Sequence, residues 1–172
     1  MNQNCMDKKT KHKFAFFLSK FPELPLPLVL GEDAHLNFSK TNDPLQQELI
    51  LQFIQPFEKI NSDEFTEWVP CFRIPETHEF HAIVYWRAGL MDYQYVLMTY
   101  TKQGDLIDQR TIAGTFSDGK TLTQSVATLD EDWIISIASG QSDAQQSSYN
   151  ASSSRAYQLE LLPEGKIINV VD

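Results

Sequence analysis

The feature that most constrains the fold is an alternation of apolar and polar side chains from about residue 66 to the C-terminus. Side chains of a β-strand point alternately to opposite faces, so a period of two predicts strands. Turn signals interrupt the alternation at short intervals, among them Gly104, Asp118-Gly119 and Gly165. Connections this short join antiparallel neighbours, because parallel strands need much longer crossovers. The predicted strands lie near residues 66–74, 79–86, 92–101, 105–115, 120–129, 132–138, 155–162 and 166–171.

The first third of the chain has a different pattern. A helical face of four apolar residues, ended by a proline, predicts a first helix: Phe14, Phe17, Leu18 and Phe21, then Pro22. Asp43 and Pro44 are typical of the cap and first position of a second helix, which Pro56 ends. Between the helices, prolines 22, 25 and 27 exclude a helix and predict an extended strap with alternating leucines. A polyproline ligand for another protein is the alternative interpretation of this segment.

These patterns predict an α+β fold that is mainly β. We expect an antiparallel β-meander sheet, or a partly closed barrel, of about 7–8 strands with two short N-terminal helices and a proline-rich strap. A chain of 172 residues fits a single domain. Within it we expect disorder over 1–9, a helical and extended cover over 10–56, the meander over 66–172, and a flexible loop over 139–154, where large aliphatic side chains are missing.

The charge of the chain argues against nucleic acid as a partner. The formal net charge is −9, so the average field repels a phosphate backbone. The sequence has no apolar run long enough to predict a transmembrane segment. We expect a cytoplasmic protein by default, or an exported or membrane-anchored one if a leader has been trimmed from the chain.

Motifs that would carry catalysis or hold a cofactor are missing from the sequence. His78 and His81 are one residue too close for a zinc-binding helix, and on a strand they point to opposite faces. Two carboxylate pairs are candidates for acid–base chemistry, but turns also favour acidic residues: Glu76 with Glu79, and Asp130 with Asp132. Cys71 lies in an apolar run and is predicted to be buried. We therefore expect no catalytic residue, no metal and no cofactor.

Aromatic residues give the candidate binding site. Tyr93 and Tyr95 share one face of a predicted strand, Trp86 ends the strand before it, and the opposite face of the Tyr93 strand is also largely apolar. A strand that is apolar on both faces is covered on both sides or lines a cavity. We therefore predict that Trp86, Tyr93 and Tyr95 form a binding surface. The alternative is that all three are ordinary core residues.

Two segments carry a resemblance to other proteins: Phe21-Pro22-Glu23-Leu24-Pro25-Leu26-Pro27, and Tyr100-Thr101-Lys102-Gln103-Gly104-Asp105-Leu106-Ile107-Asp108. In this order, after a short helix, they resemble uncharacterised bacterial β-meander proteins, some of which are exported lipoproteins. The resemblance spans most of the chain and implies a β-meander fold with no known activity. It assigns no functional residue.

The sequence alone does not identify the function, and several hypotheses stay open. The leading hypothesis is a non-enzymatic module that binds a protein partner; an immunity-type protein that neutralises a basic toxin is one form of it. A second is a carrier of a small apolar ligand inside a partly closed barrel, lined by residues such as Val84, Val96 and Ile135. A third is a hydrolase that uses Glu76 and Asp132. The sequence leaves the oligomeric state open.

Overall fold

The computed structural model describes residues 7–144 and 149–171, with residues 149–151 described through their backbone alone. Three α-helices and nine β-strands lie in these ranges. The helices are α1 (Lys8–Ser19), α2 (Ala34–Thr41) and α3 (Gln47–Phe53), and a 3₁₀ turn follows at Gln55–Phe57. The strands are β1 (Leu28–Leu30), β2 (Glu67–Arg73), β3 (Phe80–Ala88), β4 (Asp92–Thr101), β5 (Leu106–Ser117), β6 (Thr121–Leu129), β7 (Ile134–Asp143), β8 (Tyr149–Leu161) and β9 (Ile167–Asn169).

The strands form one antiparallel meander. Each strand from β2 to β9 pairs with the next strand in the chain, and β1 adds to the outer side of β6. The path does not close into a barrel. Side chains of β5 nevertheless reach β9, since Asp108 accepts a hydrogen bond from the Ile167 amide (2.8 Å) and Arg110 donates one to the Ile167 carbonyl (3.3 Å). The predicted fold class is confirmed.

Gly114 marks the point where the two halves of the sheet diverge. β5 pairs with β4 along most of its length but with β6 over residues 114–117. Gly114 has φ +148°, and a Cβ built on it would lie 2.0 Å from the carbonyl oxygen of Tyr93. A side chain at this position would therefore separate β5 from β4.

Both faces of the central strands are buried. On one face, an inner core joins the two halves of the sheet; its members include Leu30, Phe72, Phe80, Val84, Trp86, Tyr95, Leu97, Ile112, Leu129, Ile135, Leu159 and Leu161. On the other face, a helix-side core consists of Phe14, Phe17, Leu18, Phe21, Leu49, Ile50, Phe53, Ile54, Ile83, Tyr85, Val96, Met98 and Tyr100. The Tyr100 hydroxyl donates a hydrogen bond to the Phe53 carbonyl (2.5 Å), which ties α3 to β4.

The N-terminal cover follows the sequence pattern with three corrections. α1 begins at Lys8, inside the segment 1–9 predicted to be disordered, whose residues 1–6 lie outside the described ranges. The second predicted helix begins at Gln47, since Pro44 lies in an irregular segment before it. Helix α2 was not predicted; none of its residues is fully buried, and only Ala34 and Phe38 pack against the inner core. None of the helices in the described ranges has the length and apolar character needed to span a membrane.

The strap prediction agrees with the observed packing. Leu24, Leu26 and Leu28 pack against the inner core, and Leu30 is buried within it. The end of the strap becomes β1 and pairs with residues 127–129 of β6. This segment covers an edge that the divergence of β5 and β6 leaves open.

Over residues 139–143 and 149–154, where a flexible loop over 139–154 is predicted, the structure has strands instead. β7 continues to Asp143 and β8 begins at Tyr149, and residues 145–148 lie outside the described ranges. The pairing with β6 also extends to Asp143, opposite Thr121. Small polar residues form this ribbon because backbone hydrogen bonds, which every residue type supplies, join its strands.

We expect Gly114→Ala to destabilise the protein by roughly 1–3 kcal/mol, because the methyl group forces β5 away from β4. Urea unfolding of both variants measures the loss. Gly31→Ala is the matched control, since a Cβ at Gly31 has nothing within 4 Å and it should unfold like the parent protein. Equal stability of the two variants would contradict the role given to Gly114.

His81 should make stability depend on pH. It packs edge-on against Phe14, and burial lowers its pKa to about 4, with further lowering by Lys102 and Arg73. The unfolded chain takes up this proton near pH 6.5, whereas the folded chain resists protonation. The free energy of unfolding is therefore unaffected by this group above about pH 6.5, and it decreases as the pH falls from 6.5 towards 4.

Urea unfolding between these pH values checks this expectation. His81→Gln should reduce the slope of stability against pH, while the exposed control His12→Gln should retain it. A slope unchanged by His81→Gln would mean that another group produces it.

Candidate binding cleft

The three predicted binding residues line one cleft at an end of the inner core. Trp86 comes from β3, and Tyr93 and Tyr95 come from β4. Register places Trp86 directly opposite Tyr95 and Ala88 opposite Tyr93, so the three rings share a face. The cleft has a volume of about 420 Å³, and its other walls are Gly31, Glu32, Asp33, His35, Gly114, Thr115, Gln124, Ser125 and Val126.

A stack of three rings forms one wall of the cleft. The His35 ring lies parallel to Trp86 with centroids 4.0 Å apart, and Trp86 lies nearly parallel to Tyr93 at 5.8 Å. His35 Nδ1 also lies 2.9 Å from the Glu32 carbonyl, which fixes the ring at the start of α2. Sequence analysis missed His35, because a histidine on a polar helix carries no signal for a contact 51 residues away in the chain.

Tyr95 holds the segment that closes the cleft. Its hydroxyl accepts a hydrogen bond from the His35 amide (2.7 Å) and donates one to the Gly31 carbonyl (3.1 Å). Burial raises the pKa of Tyr95 well above its usual value, so the hydroxyl keeps its proton for this bond. Tyr95 therefore positions the loop between β1 and α2, and both hydrogen-bonding roles of its oxygen are occupied.

Tyr93 is the exposed ring of the three. Its exposure is 47%, whereas Trp86 is 8% exposed beneath His35 and Tyr95 is 2% exposed. Next to Tyr93, the turn between β3 and β4 presents Leu90 and Met91, and β5 presents Phe116 opposite Asp92. The Ser117 amide donates to the Met91 carbonyl (3.0 Å), which holds this turn against the end of β5. We call Leu90, Met91, Tyr93 and Phe116 the apolar rim.

The opposite side of the cleft is polar and acidic. Glu32 and Asp33 are exposed in the loop that Tyr95 holds. Thr115, Gln124 and Ser125 add hydroxyl and amide groups. The cleft thus combines an aromatic wall with two carboxylates, a pairing that suits a ligand with both apolar and cationic parts.

The other sequence candidates, Cys71 and His81, are not among the residues that line the cleft. Cys71 is fully buried, as predicted, and burial raises the pKa of its thiol well above the usual value. His81 packs on Phe14 of the helix-side core. Within residues 7–144 and 149–171, no three His, Cys, Asp or Glu side chains lie close enough to hold a metal ion.

The carboxylates of the hydrolase hypothesis lie around a groove. Glu76 and Asp132 both line it, together with Glu23 and Glu131, and its volume is about 720 Å³. Glu23 is paired with Arg73 at 3.4 Å. Asp130 accepts hydrogen bonds from the amides of Asp132 (3.0 Å) and Ile134 (2.9 Å), which is the turn role that the sequence favoured.

A buried ionic network was missed by sequence analysis. Arg87, 2% exposed at its side chain, contacts Glu58 and Asp92, each at 3.2 Å, and donates to the Asn61 carbonyl (2.9 Å). Glu58 also accepts hydrogen bonds from the Trp68 indole (2.9 Å) and the Tyr85 hydroxyl (3.3 Å). The available signal was an arginine inside the long apolar run of β3, since a buried charge requires partners.

Comparison of the chain with family models, with curated proteins and with solved structures gave no match. The resemblance to bacterial β-meander proteins therefore stays a prediction, as does the assignment of Trp86, Tyr93 and Tyr95 to binding.

Tyr95→Phe should destabilise the protein by about 1–3 kcal/mol, because it leaves the His35 amide without its acceptor and removes one of two hydrogen bonds to the Gly31 carbonyl. Hydrogen exchange at the His35 amide should accelerate in the variant. Tyr93→Phe, on the same face of the same strand, serves as the control and should preserve both stability and exchange. Unchanged exchange in Tyr95→Phe would show that the loop is held by other contacts.

Proposed function

We propose that this chain is a non-enzymatic interaction module that binds a protein partner at the cleft and the apolar rim. The observation that carries the proposal is the exposed Tyr93 ring. It stacks on Trp86 beside His35, and further exposed apolar side chains occur in the adjoining turn, at Leu90 and Met91, and at the end of β5, at Phe116. Soluble domains rarely expose such clusters without a use, and rigid aromatic rings are the commonest anchors of protein interfaces.

The negative charge of the cleft and of the whole chain indicates that the partner is basic. Glu32 and Asp33 border the cleft, and the whole chain carries −9, so approach of a cationic segment is favoured at long and short range. A lysine or arginine side chain beside Tyr93 gains both a cation–π contact and an ion pair. The proposed partner therefore presents a basic segment with apolar residues, as a basic toxin neutralised by an immunity-type protein does.

The alternative of an internal carrier has less support. Val84 and Ile135 belong to the inner core, but Val96 belongs to the helix-side core on the opposite face of the sheet. Their positions on opposite faces count against one cavity lined by all three. The cleft lies at the end of the inner core, open to solvent along the side where Tyr93 and Val126 are exposed.

Selection of peptides on the immobilised protein tests the proposal. Panning a random peptide library should enrich sequences that combine lysine or arginine with an aromatic or large aliphatic residue. Affinity of the selected peptides should fall as the salt concentration rises. Tyr93→Ala should weaken binding about 10-fold or more, the loss expected for an interface anchor. The double variant Glu32→Gln/Asp33→Asn should weaken it mainly at low salt.

Phe16→Ala provides the matched control. Phe16 has a similar exposure of 44%, but it lies on α1, over the opposite face of the sheet, and its replacement should leave peptide binding unchanged. Selection of acidic or neutral peptides, or equal binding by Tyr93→Ala, would refute the proposal.

A further inference from the structure

The aromatic stack of the cleft ends in an open ring. His35 and Trp86 are almost parallel, with 5° between their planes, and Trp86 and Tyr93 follow with 15°. Trp86 is buried within this stack, whereas Tyr93 is exposed and lines the cleft. A further planar group can therefore lie on Tyr93 and extend the stack by one member.

The polar side of the cleft offers acceptors and negative charge. Glu32 and Asp33 are exposed, and neither takes part in an ion pair within the described ranges. Gln124 and Ser125 add an amide and a hydroxyl oxygen to the same lining. None of the described residues that line the cleft is a lysine or an arginine. The lining therefore suits a cationic group with several hydrogen-bond donors.

The loop that carries these carboxylates is held at the aromatic wall. Gly31 and His35, on either side of Asp33 in the chain, both hydrogen-bond to the Tyr95 hydroxyl. Burial is the largest cause that raises the pKa of Tyr95, and the negative charge of Asp33 is one of the further causes. Tyr93 lies two residues before Tyr95 on the same face of β4, roughly 7 Å along the strand. One long side chain of a ligand can therefore reach both the Tyr93 ring and a carboxylate.

We propose that the cleft selects arginine over lysine in the basic partner, with the guanidinium stacked on Tyr93 and paired with the carboxylates of Glu32 and Asp33. This inference rests on the proposed function and names the side chain that anchors the partner. A guanidinium is planar, so it continues a stack of parallel rings, and its fork of N–H donors matches a lining of acceptors. The ammonium of lysine is a compact, strongly hydrated charge, which pairs with a carboxylate but does not stack.

Nuclear magnetic resonance of the full chain with three small probes tests the inference. The probes are the N-acetyl amides of arginine, lysine and citrulline; lysine keeps the charge without the plane, and citrulline keeps the plane without the charge. The arginine probe should shift the Tyr93 ring and Trp86 indole resonances saturably. It should bind about 5-fold more tightly than either of the other probes. Its δ-methylene protons should move upfield, because they lie over the Tyr93 ring.

Variants separate the stacking contact from the ion pair. Tyr93→Leu should reduce the affinity of the arginine probe to that of the lysine probe, and Tyr93→Phe, which restores a ring, should recover the preference. The double variant Glu32→Gln/Asp33→Asn should remove the preference for arginine over citrulline. Phe16→Leu, at a similarly exposed ring on α1, should change neither preference. The dispersion of the same spectra checks that each variant is folded.

Three results would overturn the inference: no saturable shift with the arginine probe, equal affinities of the arginine and lysine probes, or a preference for arginine that persists in Tyr93→Leu. The probes are single residues, so they test the cleft without any selected peptide. Equal affinities of the arginine and lysine probes would leave a selection of basic, apolar peptides intact. The failure of this inference and the failure of the proposed function are therefore distinguishable.

Discussion

Strand β4 requires burial on both of its faces, and the rest of the fold follows from that requirement. Tyr95 and Leu97 point into the inner core, while Val96, Met98 and Tyr100 point into the helix-side core. A sheet that is apolar on both sides needs a layer on each, because either face left in water would lose the free energy of its burial. Helices α1 and α3 supply one layer. The sheet supplies the other by bending until β6 to β9 face β3 to β5, and the strap fills the open edge.

The bend also produces the cleft. At Gly114, β5 approaches β4 closely, and its pairing with β6 is limited to residues 114–117. The two halves of the sheet therefore separate beside Tyr93. The inner core does not cover the whole aromatic face of β4. At the end of this face, the loop between β1 and α2 forms the cover instead. His35 covers Trp86 and Tyr95 holds the loop, but nothing in the described ranges buries the whole Tyr93 ring. An exposed aromatic next to a rigid stack loses little conformational entropy when a partner covers it.

Much of this architecture could be predicted from the sequence, because it depends on local periodicity. Alternation located eight of the strands, and the same alternation placed Tyr93 and Tyr95 on one face beside Trp86. Prediction failed where contacts join distant segments. His35 and Glu58 lie on polar stretches, and only the tertiary fold brings them to Trp86 and Arg87. The paired strands over residues 139–143 and 149–154 escaped prediction because backbone hydrogen bonds join them, and composition does not report such bonds.

The buried network of Arg87 connects the helix side of the sheet with the turn between β3 and β4. Replacing a buried ion pair by apolar residues often leaves the free energy of unfolding unchanged. Stability alone therefore does not explain why Arg87, Glu58 and Asp92 are charged. Arg87 reaches Asp92 at the start of β4, and Gly89 allows this contact, since a Cβ there would lie 2.6 Å from the Asp92 carboxylate. The Gly89 amide also donates to the Asp92 carbonyl (2.8 Å). This ion pair thereby fixes the turn that carries Leu90 and Met91, and with it the position of Tyr93. A buried ion pair on the helix side of the sheet therefore sets the position of the turn at the end of the aromatic cleft.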